Sequence, residues 1–393
     1  MKIYLVGGAV RDILLGKIPK DLDYVVVGAT EKEMTQKGFK KVGQFFPVFI
    51  HPETHFEYAL ARKETKEGHG HKGFHFTFSP DVTLKEDLVR RDLTINAMAM
   101  DEETKEIFDY HNGQKDLKNK ILRHVSPHFS EDPLRVLRVA RFHSQLPDFT
   151  VEKETIELMQ KMGRSHELKT LSSERILEEF TKALLGQKPL RFFETLDSSL
   201  VLDELFPLIK TLKQRKENPS KITDWEYAFA ILQLANEYDL SIDHLVSCFL
   251  LIFGKSSSPS QQEQDIKNLD VFLKNLRFPQ KARALCLATA KYHPWGHSLF
   301  ELPPPQVLDL LKQLKAFHKE ASLLPDFLKC FEMDHKILHG KDSSSKSSAW
   351  LLSLLKQLKS LDLKSLEQKF QGKELGEAID KARQEIILSW PKD

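Results

Sequence analysis

The chain changes character part-way along its length. Near the start the apolar runs are short. Lys2 to Val6 predicts a strand, Gly7-Gly8 breaks it, and Ala9 to Leu15 has helical spacing ending at Gly16. Leu22 to Val27, Gln44 to Ile50 and Glu57 to Ala61 predict further strands, and Leu93 to Met100 returns to an apolar pattern. Between Arg62 and Pro80 the chain is polar, with glycines and histidines, and reads as a mobile loop. From about Ser130 the apolar positions recur at helical spacing. Helices are predicted over Glu131–Phe142, Lys153–Met162, Ser172–Leu185, Trp225–Tyr238, Lys281–Tyr292, Pro305–Phe317 and Ala349–Leu361. Polar stretches at Arg215–Lys221, Ser256–Gln264 and Lys341–Ser348 read as punctuation. The pattern predicts an α+β protein: a small mixed α/β head followed by helices only. A single doubly wound domain would keep alternating strand and helix.

Composition narrows the class. The 393 residues suggest two or three domains at about 150 residues each. Hydrophobic residues make up 41% and charged residues 29%, which excludes a disordered chain. Lys and Arg number 58 against 56 Asp and Glu, a net charge of +2, so any nucleic-acid surface must be a local patch. The cysteines, Cys248, Cys286 and Cys330, are too scattered for a disulfide framework or a cysteine-rich zinc site. The apolar stretch Val246–Phe253 is far short of the ~20 residues of a membrane span. Arg11 and Asp12 interrupt the apolar start before any signal-peptide pattern develops. A cytoplasmic protein is expected.

Three constellations carry candidate chemistry. In the first, Gly7-Gly8 lies between strand and helix, with Arg11 in the helix and Asp21-Leu22-Asp23 following. Glycines let backbone N–H groups approach phosphate oxygens. Two aspartates two apart on a strand project from one face, with Leu22 turned into the core, and suit Mg²⁺. The plainer alternative is a turn beside solvated acids. The second is Arg90-Arg91 ahead of an apolar run, either triphosphate-binding cations or a charged helix start. The third is Ser130-Glu131-Asp132-Pro133, with Ser130 as N-cap, followed by Arg135 and Arg138. At 100° per residue, Glu131, Asp132, Arg135 and Arg138 share one helix face. Cytosine and adenine both present an amino donor beside a ring-nitrogen acceptor, and guanine and uracil present the reverse. One Asp/Arg pair can therefore admit C and A and reject G and U. The alternative is a solvated face with i,i+3 ion pairs.

Taken in order, LVGGAVRD, DLD, VGQFFPVFIHPETHFEYALAR, RRDLTINAMA, NGQKDLKNKILRHV, EDPLRVLRVARF and SSERILEEFTKALL resemble the bacterial CCA-adding enzymes, tRNA nucleotidyltransferases of the class that includes bacterial poly(A) polymerases. The match is good over about the first half of the chain and weaker from Phe370 to Trp390. The resemblance implies a nucleotidyltransferase head (1–125), a helical neck that reads the base (126–195), a helical body (196–300) and a tRNA-binding helical tail (301–393). It implies Asp21 and Asp23 as catalytic Mg²⁺ ligands, with Gly8, Arg11, Arg91, Asp132, Arg135 and Arg138 binding the nucleotide. Asp132 and Arg135 would read the base. The Arg62–Pro80 loop would serve the switch from C to A, and Ser173-Glu174-Arg175 would stabilise the neck. Implied partners are tRNA, CTP and ATP. A monomer is expected, with a homodimer as the alternative. No third carboxylate ligand is assigned.

Poly(A) polymerase is the next reading, but Ser-Trp-Pro-Lys-Asp at the end lacks that group's basic run. An A-adding or CC-adding partial enzyme and a non-catalytic RNA-binding module are further alternatives. Longer relatives carry a His-Asp dipeptide of a metal-dependent phosphohydrolase. Here Leu251-Ile252 stand in that place, so phosphatase activity is expected to be absent. Gly254-Lys255-Ser256 imitates the end of a P-loop, but Phe249 replaces the required glycine. His69, His71 and His75 form a weak zinc pattern. Leu351, Leu354, Leu355 and Leu358 read as core.

Overall fold

A computed structural model of the chain describes residues 1–42, 48–66, 74–216, 222–256 and 258–392. The chain divides into two compact units, Met1–Pro207 and Leu208–Asp393.

The first unit is built on a mixed sheet. Its strands are β1 (Lys2–Val6), β2 (Asp23–Val27), β3 (Lys40–Lys41), β4 (Val48–Ile50), β5 (Glu57–Leu60), β8 (Met98–Met100) and β9 (Ile107–Asp109). β6 (Arg62–Lys66) and β7 (Phe74–Phe78) form a separate antiparallel hairpin. The main sheet runs β3-β4-β5-β2-β1-β8-β9. β1 and β2 pair antiparallel, whereas β2 and β5 pair parallel. The centre is covered on both faces, so successive residues Tyr24, Val25 and Val26 are all buried. On one face Tyr24 stacks on its cross-strand neighbour Tyr58, ring centroids 4.5 Å apart. On the other, Tyr4, Val6 and Val25 pack with Val82, Leu84 and Leu88.

Helices α1 (Gly8–Leu14), α2 (Glu31–Gln36), α3 (Leu84–Val89) and α4 (Gly113–Lys118) accompany the strands. The helices α5 (Leu134–Gln145), α6 (Lys153–Arg164), α7 (Ser173–Leu184) and α8 (Leu190–Ser198) follow. α5 packs against α7 and α8. Phe180, Phe192, Phe193 and Phe206 fill the space between them, fully buried and largely edge-to-face.

The second unit is helical among its described residues. Its core joins Leu308, Leu311, Phe327 and Phe331 to Trp350, Leu351, Leu354, Leu355 and Leu358, so the four singled-out leucines are core residues. Leu251 and Ile252 sit fully buried in a short 3-10 turn. A Cβ on Gly254 would lie 1.5 Å from the Ala290 carbonyl oxygen. That glycine therefore permits a close approach of two segments. Lys255 is buried, with Nζ 3.0 Å from both Asp334 Oδ1 and Tyr227 Oη, which explains the P-loop imitation as packing. All three cysteines are buried and free. Among the described residues no helix is long and apolar enough to cross a membrane.

Several local expectations change. Part of the predicted Arg62–Pro80 loop is the β6–β7 hairpin, and residues 67–73 lie outside the described residues. So do His69 and His71, the side chain of His75, residues 44–47 of a predicted strand, and residues 217–221 of the first polar stretch. Most of Ser256–Gln264 is not punctuation. Ser258 caps a helix over Pro259–Asn275, its side chain accepting from the Gln261 N–H. The predicted helix at Lys281 runs through Pro294 to His297. Proline removes the donor that would satisfy the Ala290 carbonyl. His293 Nδ1 lies 3.0 Å from that oxygen and supplies the missing donor.

Candidate active site

All eight residues singled out from the sequence line one cleft of about 1000 Å³ in the first unit. Its lining includes eleven basic and six acidic side chains. A chain of net charge +2 thus concentrates its positive charge here, where it favours a polyanion.

The sheet register sets the acidic end. Val6, the last residue of β1, pairs with Asp23, the first of β2. The Asp23 carboxylate is thereby held beside the strand-to-helix turn at Gly7-Gly8. Asp21 precedes the strand in a bend and is exposed, and Leu22 is only half-buried. The two carboxylates therefore meet through a bend entering the strand, not along one strand face. A third, Glu57, stands opposite Asp23 in the parallel pairing of β2 and β5, and it also lines the cleft. Partial loss of solvent between the cleft walls raises the Asp23 carboxyl above its usual value. Arg91 and Arg138 oppose this, and the charge of Asp21 adds to it. Two oxygen-donor acids that repel each other, with cleft volume beside them, fit a hard divalent cation that keeps other ligands from water or phosphate.

Gly7 adopts φ +73°, and a Cβ there would come 3.1 Å from Arg91 Nη1. A Cβ on Gly8 would meet Arg11 Nη2 at 3.4 Å. The glycine pair thus lets two guanidinium groups lie close over the turn. Gly7 itself donates its N–H to the Met98 carbonyl, so that amide serves the fold.

Buried acids aim the cations. α3 begins with a capping box, Thr83 with Glu86, and ends in Arg90-Arg91, so these arginines sit at a helix end, where the dipole favours them. They do not form a charged helix start, the alternative reading of that motif. Asp87, fully buried, accepts from Arg90 at 2.6 Å and Arg91 at 3.2 Å. Burial alone would raise this carboxyl, but the two arginines bring it down to about 2. Asp92 repeats the device. Its Oδ2 accepts from Arg138 Nε at 2.7 Å and its Oδ1 from Asn96, which in turn accepts from Arg11 at 2.8 Å. Against its burial, Arg138 holds the Asp92 carboxyl far below the usual range.

The base-reading candidates sit at the start of α5. The helix begins at Leu134, with Pro133 as its N-cap, three residues later than predicted. Ser130 is not the cap. It and Glu131 belong to a 3-10 turn, where Ser130 Oγ donates to the Pro127 carbonyl. Proline suits a helix start because its missing N–H costs nothing there. Asp132 accepts from the Leu134 N–H at 3.0 Å and from Arg175 Nη2 at 3.0 Å. Arg135, nearly buried, donates to the His128 carbonyl. Asp132, Arg135, Arg138 and Arg141 recur every three residues and all line the cleft. Arg141 was not assigned from the sequence. It is buried, with Nε 2.5 Å from Glu179 Oε2 and its guanidinium over the Phe142 ring. Its continuation of the 132/135/138 spacing was the signal available for it.

Residues 3–123 match the family described as the Poly A polymerase head domain, and residues 148–212 that described as the probable RNA and SrmB-binding site of polymerase A. The Multifunctional CCA protein of Pseudomonas savastanoi pv. phaseolicola is 39% identical, covering 98% of this chain and 97% of its own. That of Acinetobacter baumannii is also 39% identical, covering 99% and 98%. Among solved structures, a CCA-adding enzyme with ATP has a TM-score of 0.65 at 22% identity, covering 98% of this chain and 85% of its own. The Thermotoga maritima CCA-adding enzyme complexed with tRNA has a TM-score of 0.62 at 21% identity, covering 100% and 88%. These two show the same α+β fold. Identity of 39% sustained over nearly the whole length establishes that this chain belongs to the family of bacterial CCA proteins.

Proposed function

We propose that this chain adds C, C and A to the 3′ end of tRNA from CTP and ATP, without a nucleic-acid template, and releases pyrophosphate. The observation that carries this reading is the juxtaposition, in one cationic cleft, of the Asp21/Asp23 pair with the Asp132/Arg135 pair, in a chain of this family.

Nucleotidyltransferases of this kind work with a divalent cation, and Mg²⁺ is the ion we assign. Asp21 and Asp23 would hold it, with Glu57 as a third oxygen donor. When bound, it neutralises triphosphate charge and lowers the pKa of the attacking hydroxyl. Arg11, Arg91 and Arg138, held by Asn96, Asp87 and Asp92, bind the triphosphate without having to reorganise. The terminal 3′ hydroxyl of tRNA gives up its proton to solvent water as its oxygen forms a bond to the α-phosphorus. The bond to the β-phosphate bridging oxygen breaks, and pyrophosphate leaves with its charge. No side-chain general base is required.

Asp132 has about four acceptor sites, of which Arg175 and the Leu134 amide occupy three. The remaining site and Arg135 make a donor-accepting and hydrogen-donating pair for the edge of C or A. Arg175 is therefore a positioning residue for Asp132. In this reading residues 1–125 are the head, 126–195 the neck, 196–300 the body and 301–393 a tail that contacts tRNA. The protein acts as a monomer in the cytoplasm.

The test is incorporation into tRNA ending at the discriminator base, with CTP alone, ATP alone, or both. Full CCA addition with both nucleotides supports the reading. Long adenylate tails from ATP alone would assign a poly(A) polymerase, and no incorporation would leave an RNA-binding module.

A further inference from the structure

The second unit holds a group that nucleotide addition does not use. His297 ends the helix Gln280–His297, and His335 and His339 lie in the last turns of the helix Leu324–His339. One ring nitrogen from each of the three lies within 4.8 Å of the others. His335 and His339 are four apart and so share a helix face. Their ring centroids are 4.4 Å apart, and the His297 ring lies nearly parallel to that of His335 at 6.4 Å.

His297 is oriented from behind. Its Nε2 is 2.6 Å from Asp334 Oδ2. Asp334 is fully buried, and its Oδ1 is fixed by Tyr227 Oη at 2.8 Å and Lys255 Nζ at 3.0 Å. With Nε2 taken, Nδ1 is the nitrogen His297 has to offer. A buried carboxylate behind an imidazole sets the tautomer and raises the basicity of a metal ligand.

An ion-pair cluster is the competing account, and Asp334 does pair with His297, but that pair leaves the approach of His335 and His339 unexplained. Asp334 is committed to His297, Lys255 and Tyr227, and Glu332 accepts from the Ser345 backbone N–H.

We propose that His297, His335 and His339 form a binding site for a borderline divalent cation such as Zn²⁺, joining the ends of two helices and leaving a fourth position for water. Neutral imidazoles select Zn²⁺ over Mg²⁺, the reverse of the preference of the Asp21/Asp23 pair. Tetrahedral Zn–N bonds of about 2.1 Å place ligand nitrogens ~3.4 Å apart, so small ring rotations at the helix ends close the set. The long run of Gln280–His297 past Pro294 acquires a purpose, since it carries His297 to the cluster.

The experiment uses the full chain, stripped with EDTA and titrated with Zn²⁺ by calorimetry in excess Mg²⁺. Wild type and the D21A/D23A variant are expected to bind one equivalent. H335A/H339A should bind it on the order of 100-fold more weakly, and zinc should no longer raise its unfolding temperature. His339→Ala alone, at an exposed position, guards against a folding defect and should also weaken binding. Unchanged binding by H335A/H339A, no binding by wild type, or loss of binding in H69A/H71A/H75A instead would each overturn the site.

Discussion

The cleft of the first unit and the polar core of the second use one device in opposite ways. In both, a fully buried aspartate holds a basic side chain. Asp92 pairs with Arg138 and Asp87 with Arg90 and Arg91, whereas Asp334 pairs with the buried Lys255. In the first unit each acid stands behind a guanidinium that lines an open cleft of about 1000 Å³. In the second, Asp334 turns Lys255 inward against Tyr227, where it is nine-tenths buried. A charge pair closed on itself can only support the fold, since desolvation offsets much of its attraction. One that presents its cation to solvent can also bind an anion. Openness, not charge, separates the two regions.

The comparison breaks first at the acids that touch no arginine. Asp23→Ala should lower nucleotide incorporation on the order of 1000-fold or more, a size typical of lost charge stabilisation in transfer reactions. Its unfolding temperature should not fall, because ionised Asp23 is disfavoured in the folded chain. Quenched-flow incorporation and thermal melts check both, and an unchanged rate would remove Asp23 from the site.

Next, Asp92→Ala and Asp334→Ala should each cost about 3–5 kcal/mol, the usual penalty for leaving a buried charge without its partner. Denaturant unfolding measures this. Only Asp92→Ala should also weaken CTP and ATP binding. Equal loss of nucleotide affinity in both would erase the distinction between open and closed pairs.

Arg135→Ala is expected to slow transfer about 10–100-fold and to relax base choice, since a site that pairs a base edge rejects the wrong pattern by leaving groups unpaired. Competition between CTP, ATP, GTP and UTP reads this out. Equal slowing with all four would confine Arg135 to positioning.

The smallest effect is in acid. Asp87 has its carboxyl lowered from the ordinary 3.8 to about 2. Its stabilising contribution is therefore complete above pH ~4 and disappears as the pH falls toward 2. Melting temperature against pH should show a drop in that window, reduced in Asp87→Asn. Loss of stability between pH 7 and 5 would not come from this group.

Much of the site is legible in the residue order because it is local. The i,i+2 aspartates, the glycine pair and the 132/135/138 spacing all lie within single elements or their ends. Errors came where a local rule had two outcomes. Ser130 and Pro133 can both start a helix, and the 3-10 turn with its Ser130–Pro127 bond decided for Pro133. Arg90-Arg91 can begin or end a helix, and burial of Leu84 and Leu88 against the sheet decided for the end.

What the order of residues determined by itself is therefore the chemistry at short range: which acids and arginines lie a turn or a strand step apart, and the family to which those motifs point. Tertiary structure alone decided which charges are paired. Glu57 reaches Asp23 only through a parallel strand pairing, Arg175 reaches Asp132 across 43 positions, and His297 meets His335 and His339 at the ends of two separate helices. The reason is physical. Spacing within an element follows from backbone geometry, whereas the partner of a buried charge follows from which surfaces exclude water together, and one sequence does not display that.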